Sequence, residues 1–109
     1  MKDHRLIDGR SLAFHCLVAE KLRAKPTLRE HAKRNLERWH THASPRVRPA
    51  LDEWRALLEA PLEQLLAVLT GSDERATRLR QSSPFAGVLT PQERFAILRE
   101  FQARESLTA

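Results

Sequence analysis

Between its prolines and glycines this chain repeats apolar residues every three or four positions and nowhere alternates them, the period of a helix face and not of a strand. β-branched residues are too sparse to furnish a sheet. The expected fold is therefore all-α, a compact bundle of about six short helices in a single domain over residues 1–109. Mass scaling gives roughly 6,200 Å² of folded surface against roughly 18,000 Å² extended, so about two-thirds is buried around one core. There is no internal repeat and no low-complexity tract.

Residues 1–10 read as a flexible N-terminus, and Ser11 as the N-cap of a helix reaching Ala24, with Leu12, Cys16, Ala19 and Leu22 inward, widened by Phe14, Leu17 and Val18. Pro26 stops it. Thr27-Leu28-Arg29-Glu30 then spells a capping box, opening a helix over about 28–41. Leu28, Ala32, Leu36 and Trp39 line one side of that helix, and Arg29, Lys33, Arg34 and Arg38 the other. Residues 42–49, with Pro45 and Pro49, read as an internal linker.

A third helix runs from about Pro49 to Pro61 with Leu51, Trp54 and Leu58 inward. A fourth carries Leu62, Leu65, Leu66 and Leu69 to Gly71, a left-handed stop by expectation. Ser72 or Asp73 caps a short helix over about 73–82, with Ala76 and Leu79 inward. Thr90-Pro91-Gln92-Glu93 combines N-cap, first-turn proline and reciprocal Glu. It starts a helix over about 91–105 that points Phe95, Leu98 and Phe101 inward with Ile97 beside them, leaving 106–109 as a frayed C-terminus. Between the last two helices, Pro84-Phe85-Ala86-Gly87-Val88-Leu89 is an apolar loop, which stays ordered only by docking its side chains, either in the core of its own chain or on a partner protein.

Charge divides the chain. Residues 1–50 hold twelve Lys and Arg against five Asp and Glu, net +7, while residues 51–109 hold seven against nine, net −2. Such asymmetry marks a docking surface for nucleic acid, an anionic membrane or an acidic protein. No apolar run approaches the roughly 18–20 residues that span a bilayer, and Met1-Lys2-Asp3-His4-Arg5 leads into no signal-type segment, so a cytoplasmic chain is expected. A basic amphipathic helix on a membrane is disfavoured, because Leu28, Leu36 and Trp39 are better read as core.

Site chemistry is sparse. The single Cys16 excludes an internal disulfide and a cysteine-based zinc site, and its neighbour His15 points about 100° away on a helix, too far for a catalytic pair. His31, His40 and His42 could ligate a metal, but histidines in and beside a linker are more often solvated. No phosphate-binding glycine loop, nucleophile elbow or paired-carboxylate pattern occurs. The sequence assigns no catalytic residue, no cofactor and no metal. For nucleic acid, Arg29, Lys33, Arg34 and Arg38 suffice for several phosphate contacts, yet the Lys25-Pro26 break is not the glycine turn of a helix-turn-helix.

The run Leu79-Arg80-Gln81-Ser82-Ser83-Pro84-Phe85-Ala86-Gly87-Val88-Leu89-Thr90-Pro91-Gln92-Glu93-Arg94 carries a resemblance, joined by Leu12-Ala13-Phe14-His15, Ala19-Glu20-Lys21-Leu22-Arg23 and the segment from Trp54 to Leu66. Over about residues 12–100 the chain resembles small all-helical bacterial proteins encoded beside nucleotidyltransferase-like toxins of the AbiEii or MenT kind and taken as their antitoxins. The resemblance implies a non-enzymatic protein that binds and neutralises a toxin acting on nucleotide substrates such as tRNA. The chain lacks the strand pair of winged-helix antitoxins, so autoregulation by DNA binding is not implied. On this reading Phe85, Val88 and Leu89 are apolar partner contacts, Arg80 and Arg94 their polar flanks, and Arg34 and Arg38 an electrostatic guide. The alternative is a small basic nucleic-acid-binding regulatory or accessory protein.

Overall fold

The computed structural model describes the backbone of residues 4–108 and the side chains of residues 8–104. Six helices follow one another: α1 (His4–Ala24), α2 (Leu28–His42), α3 (Arg48–Glu59), α4 (Leu62–Thr70), α5 (Glu74–Arg80) and α6 (Pro91–Thr108). No strand occurs among the described residues, so the all-α bundle expected from the periodicity is what forms. None of the described helices is long and apolar enough to cross a membrane.

α1 is the hub, packing on α4, α5, α6 and α2, while α3 bridges α2 and α4. Leucines at helical spacing explain this: Leu51, Leu58, Leu65, Leu69 and Leu79 are all at most 2% exposed and meet in one cluster. Trp54 lies fully buried at its centre, its ring edge-on to Phe85 with centroids 5.9 Å apart, and its Nε1–H donates to the Leu79 carbonyl at 2.8 Å. Burying a ring of that size contributes roughly 4–6 kcal/mol of transfer free energy before any ordering cost.

Two of the helix ends are closed by distant cations. α3 and α4 both run out into extended backbone, at Ala60 (φ −79°) and Gly71 (φ −74°), leaving their last carbonyls without a left-handed cap. Arg29 of α2 donates to the carbonyls of Leu58 and Ala60, at 3.1 and 2.6 Å. Arg80 of α5 donates to those of Val68 and Gly71, at 2.9 and 2.6 Å. A guanidinium satisfies two carbonyls at once and places its charge at the negative end of the helix dipole. Gly71 is thus not the expected left-handed stop. It is glycine because a Cβ would stand 2.6 Å from the Ala67 carbonyl oxygen and 2.7 Å from Asp73 Oδ1.

Other local expectations are corrected. α1 starts at His4, seven residues before Ser11, so residues 4–10 are helical. Its buried stripe is His15, Val18, Ala19 and Leu22, and Cys16 is exposed. Thr27 is helical in φ and ψ (−65°, −11°) and makes no capping hydrogen bond, because residues 25–30 close i to i+3 backbone bonds that hold the turn tight. At Thr90 the same motif forms completely: the Thr90 N–H donates to Glu93 Oε1 at 2.8 Å, and the Glu93 N–H to Thr90 Oγ1 at 3.1 Å. Asp73 rather than Ser72 caps α5, accepting from the Ala76 N–H. On α6, Phe101 and Ile97 face the body, but Phe95 is 61% and Leu98 36% exposed, since α6 packs chiefly on α1. The chain keeps 7384 Å² in water, above the roughly 6,200 Å² that its mass suggests, as befits a body of 41 × 33 × 24 Å with a helix along one edge.

Candidate interaction site

The loop between α5 and α6 decides what the surface offers. Its turn uses Gly87 at φ +85°, the left-handed region that glycine enters freely, and the Val88 N–H donates to the Phe85 carbonyl at 3.2 Å. Asn35 of α2, 4% exposed, donates through Nδ2 to the carbonyls of Pro84 and Ala86, each at 2.9 Å. His31 Nε2 donates to the same Ala86 carbonyl at 2.8 Å. From the far side, Lys21 of α1 donates to the Val88 carbonyl at 3.0 Å and pairs with Glu93. An apolar loop whose carbonyls accept four side-chain hydrogen bonds from α1 and α2 is a fixed part of the body.

Its apolar side chains therefore point inward. Phe85, Val88 and Leu89, expected as partner contacts, are 5%, 9% and 8% exposed and belong to the core cluster, where Phe85 meets Trp54. Arg80, expected as a polar flank, is 6% exposed and is committed to the end of α4. These four are corrected from surface contacts to structural residues: Phe85 packs on Trp54 of α3, Val88 and Leu89 join the same core cluster, and the guanidinium answers the Val68 and Gly71 carbonyls at the end of α4. Only Ala86 and Gly87, at the apex, are exposed in the loop's apolar stretch.

The other three expected residues do lie at the surface, around that apex. Arg34 and Arg38, one turn apart on α2, line a groove of about 450 Å³ together with His31, Asn35 and Glu37. Arg38 donates to Asn35 Oδ1, so the carboxamide that pins the loop also aims this guanidinium. Arg34 makes no ion pair or hydrogen bond among the described residues. On the other side of Ala86 a smaller hollow of about 140 Å³ is lined by Phe14, Val18, Phe85, Leu89 and Arg94, among others. The Arg94 guanidinium stacks over the Phe14 ring, 5.5 Å from its centroid. Arg34, Arg38 and Arg94 are thus gathered about one exposed loop tip, and Arg80 is not among them.

The remaining candidates separate. Arg29 and Lys33, offered by the sequence as phosphate contacts, are engaged: Arg29 closes α3, and Lys33 bridges Glu59 at 2.9 Å and Glu30 at 3.4 Å. His40 pairs with Asp52 at 2.9 Å, and His31 serves the loop. Among the described residues no three His, Cys, Asp or Glu come together to hold a metal ion. His15 donates from Nδ1 to the Ser11 carbonyl at 2.6 Å. Burial pushes its pKa below 6.5, a shift opposed by the Ser11 bond and aided by the Arg80 charge. Glu93 is held below the ordinary carboxylate range by Lys21 and then by the Thr90 N–H.

Asn35 carries much of this arrangement and was not singled out from the sequence, which offered His31 only as a metal ligand and not as a support of the loop. A signal exists for Asn35: it falls beside Ala32 and Leu36, on the apolar stripe of α2, where a polar side chain must find buried partners. No family model, curated protein or solved structure matches this chain.

Proposed function

We propose that this chain is a non-enzymatic antitoxin that binds and neutralises a nucleotidyltransferase-like toxin in the bacterial cytoplasm. The observation that carries the reading is the pair Arg34 and Arg38 beside the loop tip, one guanidinium unpaired among the described residues and the other aimed by Asn35. Arg38, already held by Asn35, loses little side-chain freedom on meeting a carboxylate, and Arg34 adds a charge that no described side chain neutralises, so the pair favours an acidic protein surface. The run of sequence that carries the antitoxin resemblance is also the run that forms the loop, from Leu79 to Arg94. The +7 half supplies long-range attraction toward such a surface.

The nucleic-acid reading loses ground on the same residues. With Arg29 committed to the end of α3 and Lys33 ion-paired to Glu59 and Glu30, α2 offers two exposed guanidiniums beside Glu37, and a pair is a short track for phosphate contacts. Co-expression with the product of the adjoining gene, assayed for nucleotidyl transfer and for toxicity, tests the proposal. Restored growth and a co-purified complex are expected; toxicity unrelieved, with no complex recovered, overturns it.

A further inference from the structure

We infer that the outer face of α6, centred on Phe95 and Leu98, is a second anchor for the toxin, seating in an apolar pocket rimmed by carboxylates; this rests on the antitoxin reading. α6 turns Ile97 and Phe101 toward the body while leaving Phe95 61% and Leu98 36% exposed, so its apolar stripe runs past the part that meets the body. A surface helix normally turns its apolar stripe onto whatever covers it, and here one edge of the stripe stays uncovered by the described chain. α1 covers one side of α6.

Charge selects the occupant of the other. Around Phe95 and Leu98 the helix places Arg94 and Arg99, both exposed. Their guanidiniums stack over aromatic rings, Arg94 on Phe14 at 5.5 Å and Arg99 on Phe95 at 5.8 Å, which leaves their N–H edges to pair with carboxylates. The described acidic residues of α6 are turned elsewhere: Glu93 to Lys21, Glu100 to Arg104. A second copy of this chain would bring the same two cations against these, and like charges at an interface repel. Area argues the same way. Phe95 leaves roughly 100–150 Å² of ring in water, the size of a single buried anchor and far from the about 800 Å² per partner of a standard dimer interface.

The surface is continuous with the site already described, because Arg94 immediately precedes Phe95 and lines the hollow that reaches Ala86. The partner would then touch α2, the loop tip and α6 together.

The test compares purified wild type, F95A/L98A and R34E/R38E by calorimetric titration into the toxin, with sedimentation of each chain alone. Since both side chains are exposed, F95A/L98A is expected to melt within a few degrees of wild type and to bind about 10–100-fold more weakly. Equal affinity for wild type and F95A/L98A, with R34E/R38E impaired, overturns this inference and leaves the antitoxin reading standing. A wild-type dimer dissolved by F95A/L98A also overturns it, by naming a second copy as the occupant. No wild-type binding at all overturns both.

Discussion

Asn35 grips the loop with its nitrogen and Arg38 with its oxygen: Nδ2 reaches the carbonyls of Pro84 and Ala86 at 2.9 Å each, and Oδ1 accepts from the Arg38 guanidinium. One buried carboxamide thus joins the order of the loop to the aim of a surface cation. Asn35→Ala should lower stability by about 1–3 kcal/mol, because the buried Pro84 carbonyl loses its donor while the Ala86 carbonyl keeps His31, a melting decrease on the order of 10 °C. The isosteric Asn35→Asp should be no better, since it turns carboxylate oxygens toward two carbonyls. Thermal unfolding of both variants checks this; wild-type stability for the aspartate would contradict it.

Arg80 lies 6% exposed with donors on Val68 and Gly71, so its loss is a loss of stability. Arg80→Met keeps the apolar stem but leaves the end of α4 unanswered, at about 2–4 kcal/mol. Denaturant titration should report that decrease, while the folded variant keeps wild-type affinity for its partner. A variant of unchanged stability and lost affinity would return Arg80 to the surface role that the sequence suggested.

Gly87 sits at φ +85° with the His31 ring beneath it; a Cβ there would meet His31 Nε2 at 3.1 Å. Gly87→Ala should cost about 1–2 kcal/mol from the left-handed backbone alone, and more as His31 is pushed from the Ala86 carbonyl. Unfolding free energy measures the effect, and a neutral or stabilising alanine would contradict it.

His15 sets the response to mild acid. Its folded pKa lies below 6.5, chiefly through burial, so at and below that pH the unfolded chain binds a proton that the folded chain resists. Its contribution is fully present above pH 6.5 and is lost as pH falls through that value toward the lower folded one. Glu53, held low first by Arg78, and Glu93, held low first by Lys21, add their losses only near and below 4.5. Denaturation midpoints between about pH 7 and 5 should therefore fall in wild type and flatten in His15→Gln; equal slopes in the two would contradict the assignment.

Much of this fold is written in helical spacing. Leu51, Trp54 and Leu58, and Leu65, Leu66 and Leu69, are inward as their intervals demand, and Thr90 with Glu93 forms the reciprocal cap that four residues specify. The same four-residue logic fails at Thr27, because capping needs an extended Thr and the turn after Pro26 keeps it helical. The interaction site was less legible, for a reason common to its errors. Whether Phe85 or Phe95 is buried, and whether Arg80 or Arg34 is free, depends on what arrives from elsewhere in the chain: Trp54 meets Phe85, the end of α4 claims Arg80, and Phe95, with only the Arg99 guanidinium of its own helix over its ring, stays 61% exposed. Local pattern gives a residue its helix face and not the partner that face will meet.

Arg34 and Arg38 are proposed to dock an acidic surface of a nucleotidyltransferase-like toxin. The most direct measurement is the toxin's nucleotidyl-transfer activity, titrated with wild-type chain and with R34E/R38E at low and raised salt. Wild type should inhibit stoichiometrically, with an apparent affinity that weakens as salt rises, and the double reversal should weaken it by at least about 100-fold. Transfer that proceeds unchanged under excess wild-type chain would contradict the claim.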